Sequence, residues 1–334
     1  MLKIALLGMA HVHADGYARQ VKDDPETEIV TIWDDDPARG KAASEKWGAP
    51  HTADLDQVLG DSSIDGVVVN APTDQHPHVI LSAVRARKHV FTEKALTIGV
   101  AESDQIVKAV HETGVKFVIS LPRRCSSDAQ FGKKIIEQGA LGDITLMRAR
   151  IAHNAALDKW FHGGSAWFAD AKAAGGGALF DLGCHVVDLM RWYLGEPAAV
   201  LSKHTNFSGA YPIDDNSVTV VEFKNKALGI LDVAWVQRSG PNMVEVYGTE
   251  GHLLMGAPGQ GISLNSRKLT YGDDIHGTIQ PSNLPPALPS LMRQWVGAIL
   301  RGDQPATTVE DGRNLTELMD AAYRSAETGR EIKL

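Results

Sequence analysis

Cysteine is almost absent: Cys125 and Cys184 are the only two in 334 residues. That excludes a disulfide framework and makes a reducing cytoplasm the expected compartment. No apolar stretch reaches the length of a membrane span. The opening run Met1-Leu2-Lys3-Ile4-Ala5-Leu6-Leu7 carries no cleavage signature and reads as a first strand, not a leader. No cluster of lysine and arginine occurs, and the net charge is −8, which argues against a nucleic-acid partner. Although 13 histidines are present, no zinc-type spacing such as HExxH accompanies them, and no metal is expected. Internal repeats and low-complexity tracts are also missing.

What is present is an ordinary globular composition, 43% hydrophobic and 22% charged, in a chain long enough for two domains. Up to about residue 120, short β-rich runs alternate with helical patterns, which predicts βαβ units and a doubly wound parallel sheet. The predicted strands are Lys3–Leu7, Ile29–Trp33, Gly66–Asn70, His89–Thr92 and Lys116–Ile119; the predicted helices between them include Pro37–Trp47, Pro77–Arg87 and Val100–Thr113. Continuous apolar runs such as Val67–Val69 fit strands covered on both faces.

Beyond residue 120 the pattern changes. Helices are predicted over Ala129–Gln138 and Ala178–Leu194, each closed by a glycine. Strands then follow one another without helices: Ser217–Phe223, Gly229–Val236, Met243–Tyr247, His252–Met255 and Ile262–Leu264. An open, mostly antiparallel sheet in an α+β domain is the expectation. A proline-rich connector, Gln280–Pro289, leads to two closing helices, Ser290–Arg301 and Glu310–Thr328. The domain division is 1–120 for cofactor binding and 121–334 for substrate binding and oligomerisation.

Two distant fragments carry chemistry: Phe91–Leu96 (FTEKAL) and Gly175–Asp188 (GGGALFDLGCHVVD). Lys94 follows a strand end, and Asp181 and His185 lie one turn apart on a predicted helix, so they share a face. A lysine, a histidine and a carboxylate can take the proton of an alcohol while another group takes its hydride, which calls for a nicotinamide cofactor. The turn Gly8-Met9-Ala10-His11-Val12-His13 keeps only the first glycine of the dinucleotide fingerprint. Asp34, at the end of the second strand, suits the adenosine ribose hydroxyls, and its neighbours Asp35 and Asp36 would repel a 2′-phosphate, so NAD is favoured over NADP. Arg39 and Asn70 are assigned to the cofactor as well.

These residues, with Ala71–His76 (APTDQH) and the C-terminal EDGRNLTELMDAAYRSAETGREIKL, resemble the glucose–fructose oxidoreductase/inositol dehydrogenase (Gfo/Idh/MocA) family over nearly the whole chain. The resemblance implies a Rossmann domain, a second domain whose open sheet forms the substrate pocket and often an oligomer interface, and reversible NAD(P)-dependent oxidation of a secondary alcohol on a sugar or cyclitol. It maps Lys94, Asp181 and His185 onto catalytic positions. It lays Ala71, Pro72, Thr73 and His76 along the nicotinamide half of the cofactor, with Glu93 beside them, and has the last helices pack back on the first domain. Ala95 stands where the family carries a proline after a cis peptide. A cis bond before alanine costs about 3–4 kcal/mol, so a different presentation of Lys94 is expected here.

The residues also leave room for a keto-sugar or other carbonyl reductase, or for a non-catalytic cofactor-binding regulator, although the complete Lys/Asp/His set argues against the latter. Arg124, His153, Asn154, Trp160 and Trp167 are the further substrate-binding candidates, aromatic faces being suited to sugar rings. Asp188 divides evenly between orienting the base and structure. Cys184 reads as a small buried thiol. Finally, Leu231, Val233 and Trp235 alternate as an apolar sheet face that a partner subunit would cover, which predicts a homodimer or homotetramer.

Overall fold

A computed structural model describes residues 1–238, 240–257, 261–269 and 277–334. The chain divides into two units: Met1–Leu121 with Phe161–Gly175 and Pro289–Glu317, and Pro122–Trp160 with Gly176–Leu288 and Leu318–Leu334.

The first unit is built on six parallel strands, β1 (Leu2–Leu7), β2 (Thr27–Trp33), β3 (His51–Thr52), β4 (Gly66–Val69), β5 (His89–Thr92) and β6 (Phe117–Ile119), in the order β3-β2-β1-β4-β5-β6. The chain reverses direction across the sheet between β1 and β4, which opens a crevice at the carboxyl ends of those strands. Every residue of β4 is buried, as a strand covered on both faces requires. Helices α1 (Ala14–Asp23), α2 (Pro37–Trp47), α3 (Leu55–Gly60), α4 (His76–Arg85) and α5 (Val100–Thr113) make the crossovers. Asp36 caps α2, accepting from the amides of Ala38 and Arg39, and Gly48 ends it in the left-handed region at φ 76°. The helix Leu291–Arg301 lies against the far edge of the same sheet: the Trp295 ring meets Phe91 at 6.1 Å and its indole N–H donates to the Lys116 carbonyl.

The second unit carries a nine-stranded sheet. Its strands are β7 (Ile144–Ala152), β8 (Pro197–Thr205), β9 (Asn216–Phe223), β10 (Leu228–Ala234), β11 (Val244–Gly248), β12 (Gly251–Ala257), β13 (Gly261–Ser266), β14 (Thr278–Ile279) and β15 (Ile332–Lys333). Their order is β14-β13-β12-β11-β7-β10-β9-β8-β15, antiparallel throughout except for the β7–β10 pair.

One face of this sheet is covered within the unit, and here the sequence reading needs correcting. Leu231, Val233 and Trp235 are at most 1% exposed, so they are core and not a free face. Val233 packs against Gly183, where a Cβ would come within 3.1 Å of its side chain. The free face is the opposite one. There Leu201, Val220 and Ile230 align across β8, β9 and β10, flanked by exposed Val218 and Leu228. Alternation tells which residues share a face but not which face is covered, so the parity was read the wrong way round.

Candidate active site

In the first unit the site grows from the turn after β1. Gly8 has φ 83°, and a Cβ on it would stand 2.7 Å from the Ala71 amide, so both conformation and space require glycine. The turn is pinned to β4 by the His11 amide donating to the Asn70 carbonyl at 3.2 Å. The Asn70 carboxamide is fully buried at the carboxyl end of β4, and among the described residues neither its oxygen nor its nitrogen has a partner. A buried amide with unmet donor and acceptor is costly unless a ligand completes it. With the tight Gly8 turn beside it, the crevice fits a dinucleotide.

Asp34 is also buried, but it is not a free carboxylate. Oδ2 accepts from the Met9 amide and Arg39 Nε, both at 2.8 Å. Oδ1 meets Arg39 Nη2 at 2.7 Å and the Asp36 amide at 2.8 Å. A carboxylate offers about four lone-pair positions, so ribose hydroxyls reach Asp34 only as Arg39 gives way. Arg39, held also by Asp35 at 2.7 Å, therefore belongs to this corner as expected, while its partner is the acid itself.

The surroundings of Glu93 and Lys94 contain more than the sequence disclosed. Glu93 is 1% exposed and its charge is shared out in three directions. Its Oε2 accepts the Lys94 backbone amide at 2.8 Å, and its Oε1 accepts from the Tyr17 hydroxyl and lies 2.7 Å from His13 Nδ1. Burial by itself would raise the Glu93 pKa, but His11, His13 and Lys94 outweigh it and hold the carboxyl well below its usual range. Burial and the adjacent carboxylate push the Tyr17 hydroxyl well up, so it remains a donor, while Ser120 Oγ sits 2.6 Å behind it. Tyr17 was missed in the sequence; the available signal was its place one helical turn beyond His13, with its amide bonded to the His13 carbonyl.

Lys94 itself is 6% exposed, and the Lys94–Ala95 peptide is cis, which corrects the expectation that alanine would change its presentation. His76 is a second correction. Its Nδ1 faces the Ala95 carbonyl at 2.8 Å and its Nε2 the Ala71 carbonyl at 3.1 Å, so it staples two backbone segments and does not face a cofactor. Burial lowers its pKa, and the backbone carbonyls around the ring act in the opposite direction. Thr73 is buried on the short turn Thr73–Gln75. Trp167 belongs to this unit and not to the second, where the sequence division at residue 120 would have put it. Its indole donates to the Ala10 carbonyl at 3.2 Å, and it stacks on Phe168 at 4.0 Å beside His11.

In the second unit the predicted helix Ala178–Leu194 is two structures. Leu179–Gly183 forms a π-helical turn and Cys184–Leu194 an α-helix. Such turns are rare and recur at functional sites. Asp181 lies within the π turn and His185 at the start of the helix, both half-buried among Leu179, Val186 and Leu189. The glycines before them give room to backbone and side chain: a Cβ on Gly177 would overlap the Asp214 carbonyl, and one on Gly176 the Tyr323 hydroxyl. Cys184 is buried and donates its Sγ–H to the Asp181 carbonyl at 2.9 Å, a structural thiol.

Arg124 and Asp188 form a buried two-pronged ion pair, with contacts of 2.9 and 2.5 Å and Trp192 over the guanidinium at 5.6 Å. Both are spoken for structurally, so Arg124 is withdrawn as a substrate ligand. Asn154 is engaged at the surface: its amide donates to Asp158, which Arg238 grips at 2.6 and 3.1 Å. His153 and Trp160 do pair, ring centroids 4.9 Å apart, and Trp160 stays 47% exposed as an open aromatic face.

A Rossmann sheet with a dinucleotide crevice, joined to an open mixed sheet, defines a nicotinamide-dependent oxidoreductase. More narrowly, the chain belongs to the Gfo/Idh/MocA family. Residues 2–121 match the oxidoreductase family's NAD-binding Rossmann fold and residues 130–254 the GFO/IDH/MocA C-terminal domain. The chain is 26% identical over 314 residues to a 1,5-anhydro-D-fructose reductase of Ensifer adhaerens, covering 92% of this chain and 91% of that protein. It is 28% identical over 271 residues to a scyllo-inositol 2-dehydrogenase (NAD(+)) of Bacillus subtilis, covering 76% and 74%. Among solved structures it is similar to GenD2 from gentamicin A biosynthesis in complex with NAD, with a TM-score of 0.82 and 28% identity over 100% of this chain and 96% of that one. No helix among the described residues is long and apolar enough to cross a membrane.

Proposed function

We propose that this protein is an NAD-dependent dehydrogenase that interconverts a secondary alcohol and a ketone on a sugar, cyclitol or related polyol. The observations that carry the reading are, within the NAD-binding unit, a buried Lys94 whose backbone amide is held by Glu93 and, within the other unit, Asp181 and His185 around a π-helical turn. Bound NAD supplies the hydride acceptor. Gly8, Met9, Ala10, His11 and Val12 would hold its diphosphate, Asp34 its adenosine ribose, and Asn70, Ala71 and Pro72 its nicotinamide half. His185 takes the proton of the substrate hydroxyl, a general-base task for which an imidazole is suited. Asp181 orients the ring and stabilises the imidazolium, and the Lys94 ammonium steadies the developing negative charge on the same oxygen. His153 and the open Trp160 face are the remaining substrate contacts. On this reading the first unit, which takes in Phe161–Gly175 and Pro289–Glu317 besides Met1–Leu121, forms the NAD domain and the second unit the substrate and oligomerisation domain, in place of a single division at residue 120. The two buried cysteines, which form no disulfide, suit a reducing cytoplasm. The test is a screen of sugars, inositols and sugar acids with NAD, followed by NADH absorbance; reduction of NAD by no member of these classes, in either direction, would refute the substrate class.

Cofactor choice follows from the Asp34 corner, where three carboxylates face one guanidinium. NAD is expected to bind more tightly than NADP. Asp34→Ala releases Arg39 to meet a 2′-phosphate and should narrow the gap by roughly tenfold, about 1.4 kcal/mol. Titration of both dinucleotides by protein fluorescence checks this, and tighter NADP binding by the unaltered protein contradicts it.

The free sheet face supports a homodimer or homotetramer. Leu201, Val218, Val220 and Leu228 expose between 37% and 49% of their surface on adjoining strands, and such a patch is usually covered by a symmetric partner. Val220→Asp is expected to shift the protein to a monomer in light scattering, and an unaltered protein already monomeric at micromolar concentration removes the proposal.

A further inference from the structure

We propose that His11, His13 and Glu93 form a binding site for a divalent transition-metal cation of the zinc class. The inference shares His11 and Glu93 with the proposed NAD site but does not rest on that reading, because the cation is tested without NAD. One ligand atom from each residue lies within 4.8 Å of the other two. His13 Nδ1 is 2.7 Å and His11 Nδ1 3.9 Å from the same oxygen, Glu93 Oε1. A tetrahedral ion with bonds of about 2.1 Å separates its ligands by roughly 3.4 Å, so the first pair must widen and the second close by less than an ångström each. Two imidazoles and a carboxylate are a donor set that zinc-class ions favour, with a fourth position left for water.

The surroundings are those of a ligand cradle. The His13 amide donates to His11 Nδ1 at 3.2 Å, so that nitrogen carries its lone pair and not a proton, and an ion bound there would take the lone pair in place of this long hydrogen bond. Tyr17 and the Lys94 amide hold the carboxylate from behind, in the manner of an outer shell that orients a ligand. Phe168 and Trp167 wall His11 at 5.2 and 5.8 Å and exclude water on that side. His13 is 51% exposed, which leaves an entry path. The cation takes the place of the proton that His13 and Glu93 share, and that proton passes to solvent. The spacing rules that gave no metal in the sequence miss this set, because Glu93 comes from a strand end far along the chain from the two histidines.

The experiment is a titration of the chelator-treated full chain, without NAD, with Co²⁺ followed by Zn²⁺. One equivalent of Co²⁺ should give an intense visible d–d band that Zn²⁺ abolishes. His13→Ala and Glu93→Gln should each weaken binding by more than about 100-fold and Tyr17→Phe by about tenfold, since outer-shell partners are worth 10–100-fold in affinity. His78→Ala, at an exposed position outside the cluster, should change nothing. Absence of a stoichiometric band, or full-strength binding in His13→Ala, overturns the proposal. Should Glu93→Gln fail to fold, the half-exposed His13 variant still decides it.

Discussion

Lys94→Ala and His185→Ala are each expected to lower turnover by about 10²–10⁴-fold, the range in which a positioned acid or base acts, with NAD affinity nearly unchanged. The two changes remove different things. Loss of the His185 imidazole removes the proton acceptor, so a rise in activity with pH, as hydroxide substitutes for the base, should accompany the lower rate. Loss of the Lys94 ammonium removes a stabilising charge and leaves the pH profile of the base in place. Neither change reaches the turn that would hold NAD: Lys94 meets Glu93 through its backbone amide, which alanine retains. Steady-state rates on the substrate found by screening, with dinucleotide titrations alongside, check both halves. Near-normal turnover in either variant shows that the wrong groups were assigned.

Much of the first unit was legible because its signals are local. The helix Pro37–Trp47 was read to the residue, since Asp36 caps it, Pro37 opens it and Gly48 closes it. The same holds for Val100–Thr113, which Gly114 ends at φ 71°. Helix α1 was not read, and its start shows why: His13 stands at the cap with its side chain turned to Glu93 and not to the helix amides, so nothing punctuates the sequence there. The π turn was hidden for a different reason. Leu179–Gly183 keeps the apolar pattern of a helix, and only the fit of Gly183 against Leu179 and Val233 betrays the wider winding.

The site divides along the same line. Gly8, Lys94, Asp181 and His185 stand in short motifs with chemical meaning, and those can be read from sequence. What joins one motif to another cannot. Glu93 gathers Tyr17 and His13 from the far side of the first crossover, Trp167 reaches back to Ala10, and Arg39 occupies the acid that had been reserved for a ribose. The first two are long-range and the last is local, but each is a choice of partner among several polar groups, settled by packing rather than by spacing.

Arg124 and Asp188 make the sharpest case, since one was read as a substrate ligand and the other divided evenly between roles. Their side chains are 8% and 2% exposed and doubly bonded, and Trp192 covers the guanidinium. Removing one partner strands the other charge in a site with little access to water. Asp188→Ala or Arg124→Met should therefore cost about 3–5 kcal/mol, a fall in melting temperature on the order of 10 °C for a unit of this size. Removing both charges is a different matter. Arg124→Met with Asp188→Leu leaves no buried ion unpaired, and apolar replacements of buried pairs are often close to neutral. The double variant should recover most of the lost stability, and thermal melts of the four proteins in the cycle measure the coupling directly. The same double variant also separates structure from recognition. If the pair serves only to tie the Cys184–Leu194 helix to the Pro122–Cys125 turn, KM for the substrate stays near its original value once stability returns. A large rise in KM at restored stability would reinstate Arg124 as a substrate contact.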